Sequence, residues 1–376
     1  MKVDFYKHNL TAEDKRECMK VLDSLFLTTG SVVGDFEEKF AHYMSSKYAV
    51  GVNSCTDALF MALKYYGVTR GDEVITTPMS FIATADAIEY CGATPVFVDV
   101  EPSTGNINAE LIEEKITAKT KVILPVHLYG QMCDMKKIRA IADAHKLKII
   151  EDSAHCIEGI RDGVRPGQLG DIACFSFYAT KNITSGEGGA LTTNDVSAYE
   201  WLKKARLHGM SKNAADRYTK KYEHYDMEFL GYKSNMTNIQ ASLLIHQLDR
   251  AESNLIKKEN ISEKYNIGLE KNNDVGIPGI LPNSKHARHI YTIWVDPAKR
   301  DATMHKLQEA GIGVAVNFRP IHLMSYYKKK YGYAPGSFPT AEKIGASTIT
   351  IPLYPKLTDK EIQYVIGSIN TITFDP

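Results

Sequence analysis

The chain has 376 residues, 44% of them hydrophobic, with 45 lysines and arginines against 45 aspartates and glutamates. That length allows two or three domains around a large core, and the balanced charge lacks the basic excess of a nucleic-acid-binding face, so no nucleic-acid partner is expected. The six cysteines (Cys18, Cys55, Cys91, Cys133, Cys156 and Cys174) form no C-x-x-C pair and no metal-ligand spacing, which excludes a disulfide scaffold, gives no expectation of a metal and fits a reducing cytoplasm.

Thr11-Ala-Glu-Asp14 is a capping-box pattern that opens a helix. Short β-rich runs then alternate with helical patterns, with strands expected at 48–52, 73–77, 95–99, 121–126, 148–152, 172–177 and 189–193; this alternation predicts an α/β sheet with crossover helices. The segment 209–228 has no periodicity and many polar aromatics, and is expected to be either a mobile surface loop or one that orders over substrate, the second favoured because Asn235 follows it. From 237 a long amphipathic pattern runs to about 270 and bridges to a smaller α+β unit, with Pro278 and Pro282 marking the loop that follows. The remainder reads strand 290–295, helix 300–310, strand 313–318, helix 338–345, strand 348–352 and helix 358–370. Two domains follow, 1–250 and 251–376. No apolar segment follows a basic start and no run reaches the ~20 apolar residues of a membrane helix, so a soluble protein with no membrane partner is expected.

The chemistry concentrates at four points. In Phe175-Ser-Phe-Tyr-Ala-Thr-Lys-Asn-Ile-Thr-Ser-Gly-Glu-Gly-Gly189 an apolar strand delivers one amine, Lys181, into a turn of small residues; a partly desolvated amine titrates low and can attack a carbonyl. The run Lys148-Ile-Ile-Glu-Asp-Ser-Ala-His155 ends a buried strand in two acids, as a strand entering a ligand crevice does. Asp152 there can sit beside a pyridine nitrogen and hold it protonated, although Glu151 and Asp152 can equally cap the next segment. Ser54-Cys55-Thr56 lies between a strand and a helix start, where free N–H groups and the helix dipole bind phosphate, or where an ordinary N-cap sits. Phe81, after another strand end, offers a flat face for a ring.

These motifs, with Thr77-Pro-Met-Ser-Phe-Ile-Ala-Thr84, Pro125-Val-His-Leu-Tyr-Gly-Gln131, Gly231-Tyr-Lys-Ser-Asn-Met236 and Asn317-Phe-Arg-Pro-Ile-His322, form an ordered series over nearly the whole chain. The series resembles the DegT/DnrJ family of sugar aminotransferases, fold type I enzymes that use pyridoxal 5′-phosphate (PLP) on nucleotide-linked keto sugars. The resemblance implies a large domain with a mixed, mostly parallel sheet and a smaller α+β C-terminal domain. It implies Lys181 as the Schiff-base lysine, Asp152 at the pyridine nitrogen, His155 near the phenolic oxygen, Phe81 stacking on the ring, and phosphate contacts from Thr56, Asp57 and Ser176. It also implies that Asn235 reaches the cofactor phosphate of a neighbouring subunit, so that a homodimer shares its active sites. His322, Arg319 and Thr29 are the candidates for substrate contacts. Two departures stand out: Cys55 replaces the usual glycine, and Asn317-Phe-Arg replaces the more frequent His-Tyr-x before Pro320.

The reaction implied is ping-pong transamination from glutamate, released as 2-oxoglutarate, to a keto sugar on a nucleoside diphosphate, a 4-keto-6-deoxy hexose, for surface glycan or deoxyamino sugar synthesis. His127, His208 and His289 are further polar candidates, each readable as a structural histidine. A sugar dehydratase of the same fold and a PLP-binding regulatory protein are the alternatives. Dehydratase relatives carry histidine in place of the lysine, so Lys181 favours amino transfer.

Overall fold

The computed structural model describes residues 1–211 and 224–372. Its strands are β1 (Tyr48–Val52), β2 (Glu73–Thr76), β3 (Thr94–Phe97), β4 (Thr120–Leu124), β5 (Lys148–Asp152), β6 (Ile160–Arg161), β7 (Ile172–Ser176), β8 (Gly189–Thr193), β9 (Ser284–Lys285), β10 (Tyr291–Trp294) and β11 (Thr348–Ile351). Seven of them make one sheet in the order β1-β8-β7-β5-β4-β2-β3. Neighbours pair in parallel except at β8, which runs antiparallel to both β1 and β7. This is the mostly parallel α/β sheet that the strand spacing predicts. β7 and β8 are buried along their whole length, which is why they read as continuous apolar or small-residue runs and not as alternating ones.

The opening helix, Ala12–Leu22, carries the full capping box, with Thr11 accepting from the Asp14 N–H and Asp14 accepting from the Thr11 N–H. The long pattern after residue 237 is two helices, Asn238–Asp249 and Ala251–Leu269, broken at Arg250. Arg250 leaves the helical line (φ −103°, ψ 0°) while its guanidinium reaches Asp14 at 2.7 Å, tying the break to the first helix.

The C-terminal part pairs β10 with β11 and packs Tyr265, Ile293, Leu307, Ile349 and Val365 into one core. Residues 313–318 do not form the expected strand. Their backbone bonds divide between two partners: the Gly313 N–H donates to Val3 O, and Ala315 exchanges bonds with Thr350. Neither partner supplies a ladder. Val3 also lies in the C-terminal core, so the first residues depart from the boundary expected at 250. Of the segment 209–228, residues 212–223 lie outside the described residues; its ends meet at a bridge between Met210 and Met227. No described helix is long and apolar enough to cross a membrane.

Candidate active site

The carboxyl ends of β1, β2, β4, β5 and β7 converge on a cavity of about 510 Å³, which falls within the range of small-molecule sites. A parallel sheet places its ligand crevice at that edge, because the strand-to-helix turns all open there.

Lys181 leaves β7 through a tight turn in which its N–H donates to Tyr178 O at 2.9 Å, and it lines the cavity. Burial pulls its amine down to about 8, against an upward pull from Cys55 and Asp152. Asp152 ends β5 and is buried. Its Oδ2 accepts from the Thr84 hydroxyl at 2.7 Å and its Oδ1 from the Ala154 N–H at 3.1 Å. Thr84 Oγ1 also lies 2.7 Å from Ser80 Oγ; since the single Thr84 proton goes to Asp152, Ser80 is the donor there. Burial raises the Asp152 carboxyl, with the Thr84 and Ala154 bonds and the Lys181 charge opposing it. A cationic ring beside it would reverse that balance, since an opposite charge favours the carboxylate.

Ser54 caps the helix Cys55–Tyr65. Its side chain and carbonyl take the N–H groups of Asp57 (3.1 Å) and Ala58 (3.1 Å), leaving those of Cys55 and Thr56 for an anion at the cavity wall. The turn lies directly against β8: a Cβ on Gly189 would sit 2.5 Å from the Ser54 carbonyl carbon and 2.6 Å from the Cys55 nitrogen. Ser176 also lines the cavity. Phe81 stands at the mouth, 57% exposed, with its ring 6.1 Å from that of Phe318. His155 is buried and stacks between His289 and Phe318.

Of the residues singled out from sequence, Lys181, Asp152, Thr56, Phe81, His155 and Ser176 therefore meet in one cavity, while five do not line it. Asp57 is one position along the helix, its N–H taken by Ser54. Asn235 and Thr29 form a separate pair, with Asn235 Nδ2 donating to Thr29 Oγ1 at 2.7 Å and Oδ1 accepting from Lys233 Nζ at 2.6 Å. Arg319 is exposed, donating to Leu323 O at 3.3 Å. His322, expected near the sugar, is wholly buried between Glu342 (3.0 Å) and the ring of Phe338 (4.7 Å). The imidazole is thus held by a carboxylate and an aromatic ring and does not line this chain's cavity.

Thr84 and Asn317 line the site without having been assigned a role. Thr84 stood in a quoted motif, but a hydroxyl eight residues beyond the end of β2 carries no pattern of its own. His127 is buried on Glu151 (2.7 Å) away from the cavity, whereas His289 lines it.

A phosphorylated pyridine aldehyde matches these groups: a depressed amine, a buried carboxylate with both oxygens anchored, and two unclaimed N–H groups at a helix start. Fold and donor set together define a fold type I PLP-dependent transferase. The chain belongs to the DegT/DnrJ/EryC1/StrS aminotransferase family, whose model matches residues 8–370. It is 40% identical to the spore coat polysaccharide biosynthesis protein SpsC of Bacillus subtilis, over 96% of this chain and 94% of that one. It is 34% identical to the GDP-perosamine synthase of Caulobacter vibrioides, over 96% of both. The putative sugar aminotransferase Spr1654 of Streptococcus pneumoniae, solved in its PMP form, superposes with a TM-score of 0.93 at 31% identity, covering 98% of each chain.

Proposed function

We propose that this enzyme moves the amino group of L-glutamate onto a keto sugar carried by a nucleoside diphosphate, a 4-keto-6-deoxy hexose, in the cytoplasm and for a surface glycan or deoxyamino sugar. The observation that carries the reading is Lys181, an amine held near neutrality inside a cavity floored by Asp152. A protein that only stored the cofactor has no use for a proton-transfer amine there. The sugar side is supported by the GDP-perosamine synthase and polysaccharide biosynthesis relatives.

Bound PLP supplies the electron sink that stabilises negative charge at the donor's alpha carbon. Lys181 would hold the aldehyde carbon and, once displaced by the donor amine, would carry the proton from the donor's alpha carbon to the cofactor's 4′ carbon. Asp152 keeps the pyridine nitrogen protonated, held in place by Thr84 and Ala154. His155 hydrogen-bonds the phenolic oxygen, and Phe81 covers the ring. The Cys55 and Thr56 N–H groups and Ser176 would hold the phosphate, and Asn235, braced by Thr29, would complete the phosphate site of a partner subunit across a twofold dimer.

The test is a panel of UDP-, dTDP- and GDP-linked keto sugars incubated with glutamate and PLP. One sugar should yield an amino sugar and 2-oxoglutarate in equal amounts. A deoxygenated product with glutamate unconsumed would establish the dehydratase reading instead, and no exchange of glutamate at all would defeat amino transfer.

A further inference from the structure

His155 and His289 stack at the cavity wall with ring centroids 4.3 Å apart and planes inclined by 26°. Their outer bonds are of opposite sense. The Tyr129 N–H can only donate, and it meets His155 Nδ1 at 3.3 Å, so the His155 proton sits on Nε2. His289 Nδ1 instead lies 3.3 Å from Asn182 Oδ1.

The other end of the amide settles which way Asn182 faces. Its Nδ2 donates to the Ala287 carbonyl at 2.8 Å and to Glu158 Oε2 at 2.5 Å. A carbonyl accepts only, so a reversed amide would set oxygen against oxygen whatever the protonation of Glu158. The carbonyl is anchored in turn by Lys258 Nζ at 3.1 Å. The Ala287 N–H donates to Gly130 O and the His289 N–H to Tyr129 O. The segment bearing His289 is thus pinned to the same turn whose N–H orients His155.

We propose that Asn182 is a positioning residue that keeps His289 as its Nδ1–H tautomer, so that beside the His155 Nε2–H, the donor to the cofactor's phenolic oxygen, the stacked pair offers one acceptor, His289 Nε2, for an O–H or N–H of the substrate. Burial holds both imidazoles well below the ordinary histidine value, and the Lys181 charge lowers both further. Both rings are therefore neutral at pH 7, and a neutral ring keeps the tautomer its partner selects. The role in the reaction rests on the amino-transfer reading, whereas the tautomer rests on geometry alone.

Protein labelled with ¹⁵N-histidine distinguishes protonated from bare ring nitrogens by NMR, with the signals assigned through His289→Gln and His155→Gln. In the parent protein, with and without PLP, His289 should carry its proton on Nδ1 and His155 on Nε2. Asn182→Ala should shift His289 towards Nε2–H and lower kcat/KM for the sugar by roughly tenfold, the effect of one lost hydrogen bond at the reacting site. A parent His289 protonated on Nε2 overturns the proposal without any variant. An unchanged tautomer in Asn182→Ala removes the role of Asn182. Parent tautomers as stated in a protein that transfers no amino group would defeat the functional reading and leave the tautomer assignment standing.

Discussion

The rate at which the cofactor-free protein captures an aldehyde depends on the fraction of Lys181 that is unprotonated, and that fraction follows from its surroundings. Burial lowers the amine from 10.5 to about 8. At pH 7 about one amine in ten is then neutral, against about one in three thousand for an ordinary lysine, a gain of roughly 300-fold in the reactive form. The sign is fixed: with the pKa lowered, the reactive form is present above pH ~8 and is lost tenfold for each unit below it. Stopped-flow absorbance of PLP binding, followed from about pH 6 to pH 10, should therefore rise tenfold per unit and level off near pH 8. Borohydride reduction and peptide mapping should then place the label on Lys181, and Lys181→Ala should abolish both the fast phase and turnover. A rate still climbing beyond pH ~10, the range of a solvated lysine, or a label on another lysine, would refute the argument that this pocket prepares the amine.

Thr84→Val removes the donor to Asp152 and the acceptor for Ser80, both buried, and should cost about 1–3 kcal/mol in urea unfolding together with much of the activity, with Thr84→Ser restoring both; parental stability in Thr84→Val would show the bond to be dispensable. Gly189→Ala drives a methyl into the Ser54–Cys55 backbone, where no flexible side chain can give way, so PLP affinity should fall at least about tenfold and thermal stability should drop; an unchanged PLP titration would mean that the turn is not the phosphate cradle. Mixing inactive Lys181→Ala with an impaired Asn235→Ala protein tests the shared site. If the two residues act across the dimer, one site of each heterodimer carries both lesions and the other neither, and activity returns; heterodimers no more active than the parents would assign Asn235 to its own subunit.

Much of this protein is determined by sequence alone, because its signals are local. Buried strands read as short apolar runs, so β5 and β7 stand out, the one ending at Asp152 and the other shortly before Lys181. The Thr11 capping box needs only residues three apart and is found as read. Strand–turn–helix order then implies that the carboxyl edge of one sheet carries the chemistry, and six of the singled-out residues do meet there.

What only the tertiary structure decided depends on partners distant in the chain. Residues 313–318 have the composition of a strand, yet Val3 and Thr350 divide their backbone bonds. The 237–270 pattern continues as one amphipathic period, yet Arg250 breaks it in reaching Asp14. His322 lies in the right motif but is buried against Glu342 and Phe338, while His289, one histidine among twelve in the sequence, is carried to the wall of the site by the Ala287–His289 segment pairing with the Tyr129–Gly130 turn. The value of a lysine's pKa and the tautomer of a histidine belong to the same category. Both are set by desolvation and by hydrogen-bond partners brought from far along the chain, and those exist only once the chain has folded.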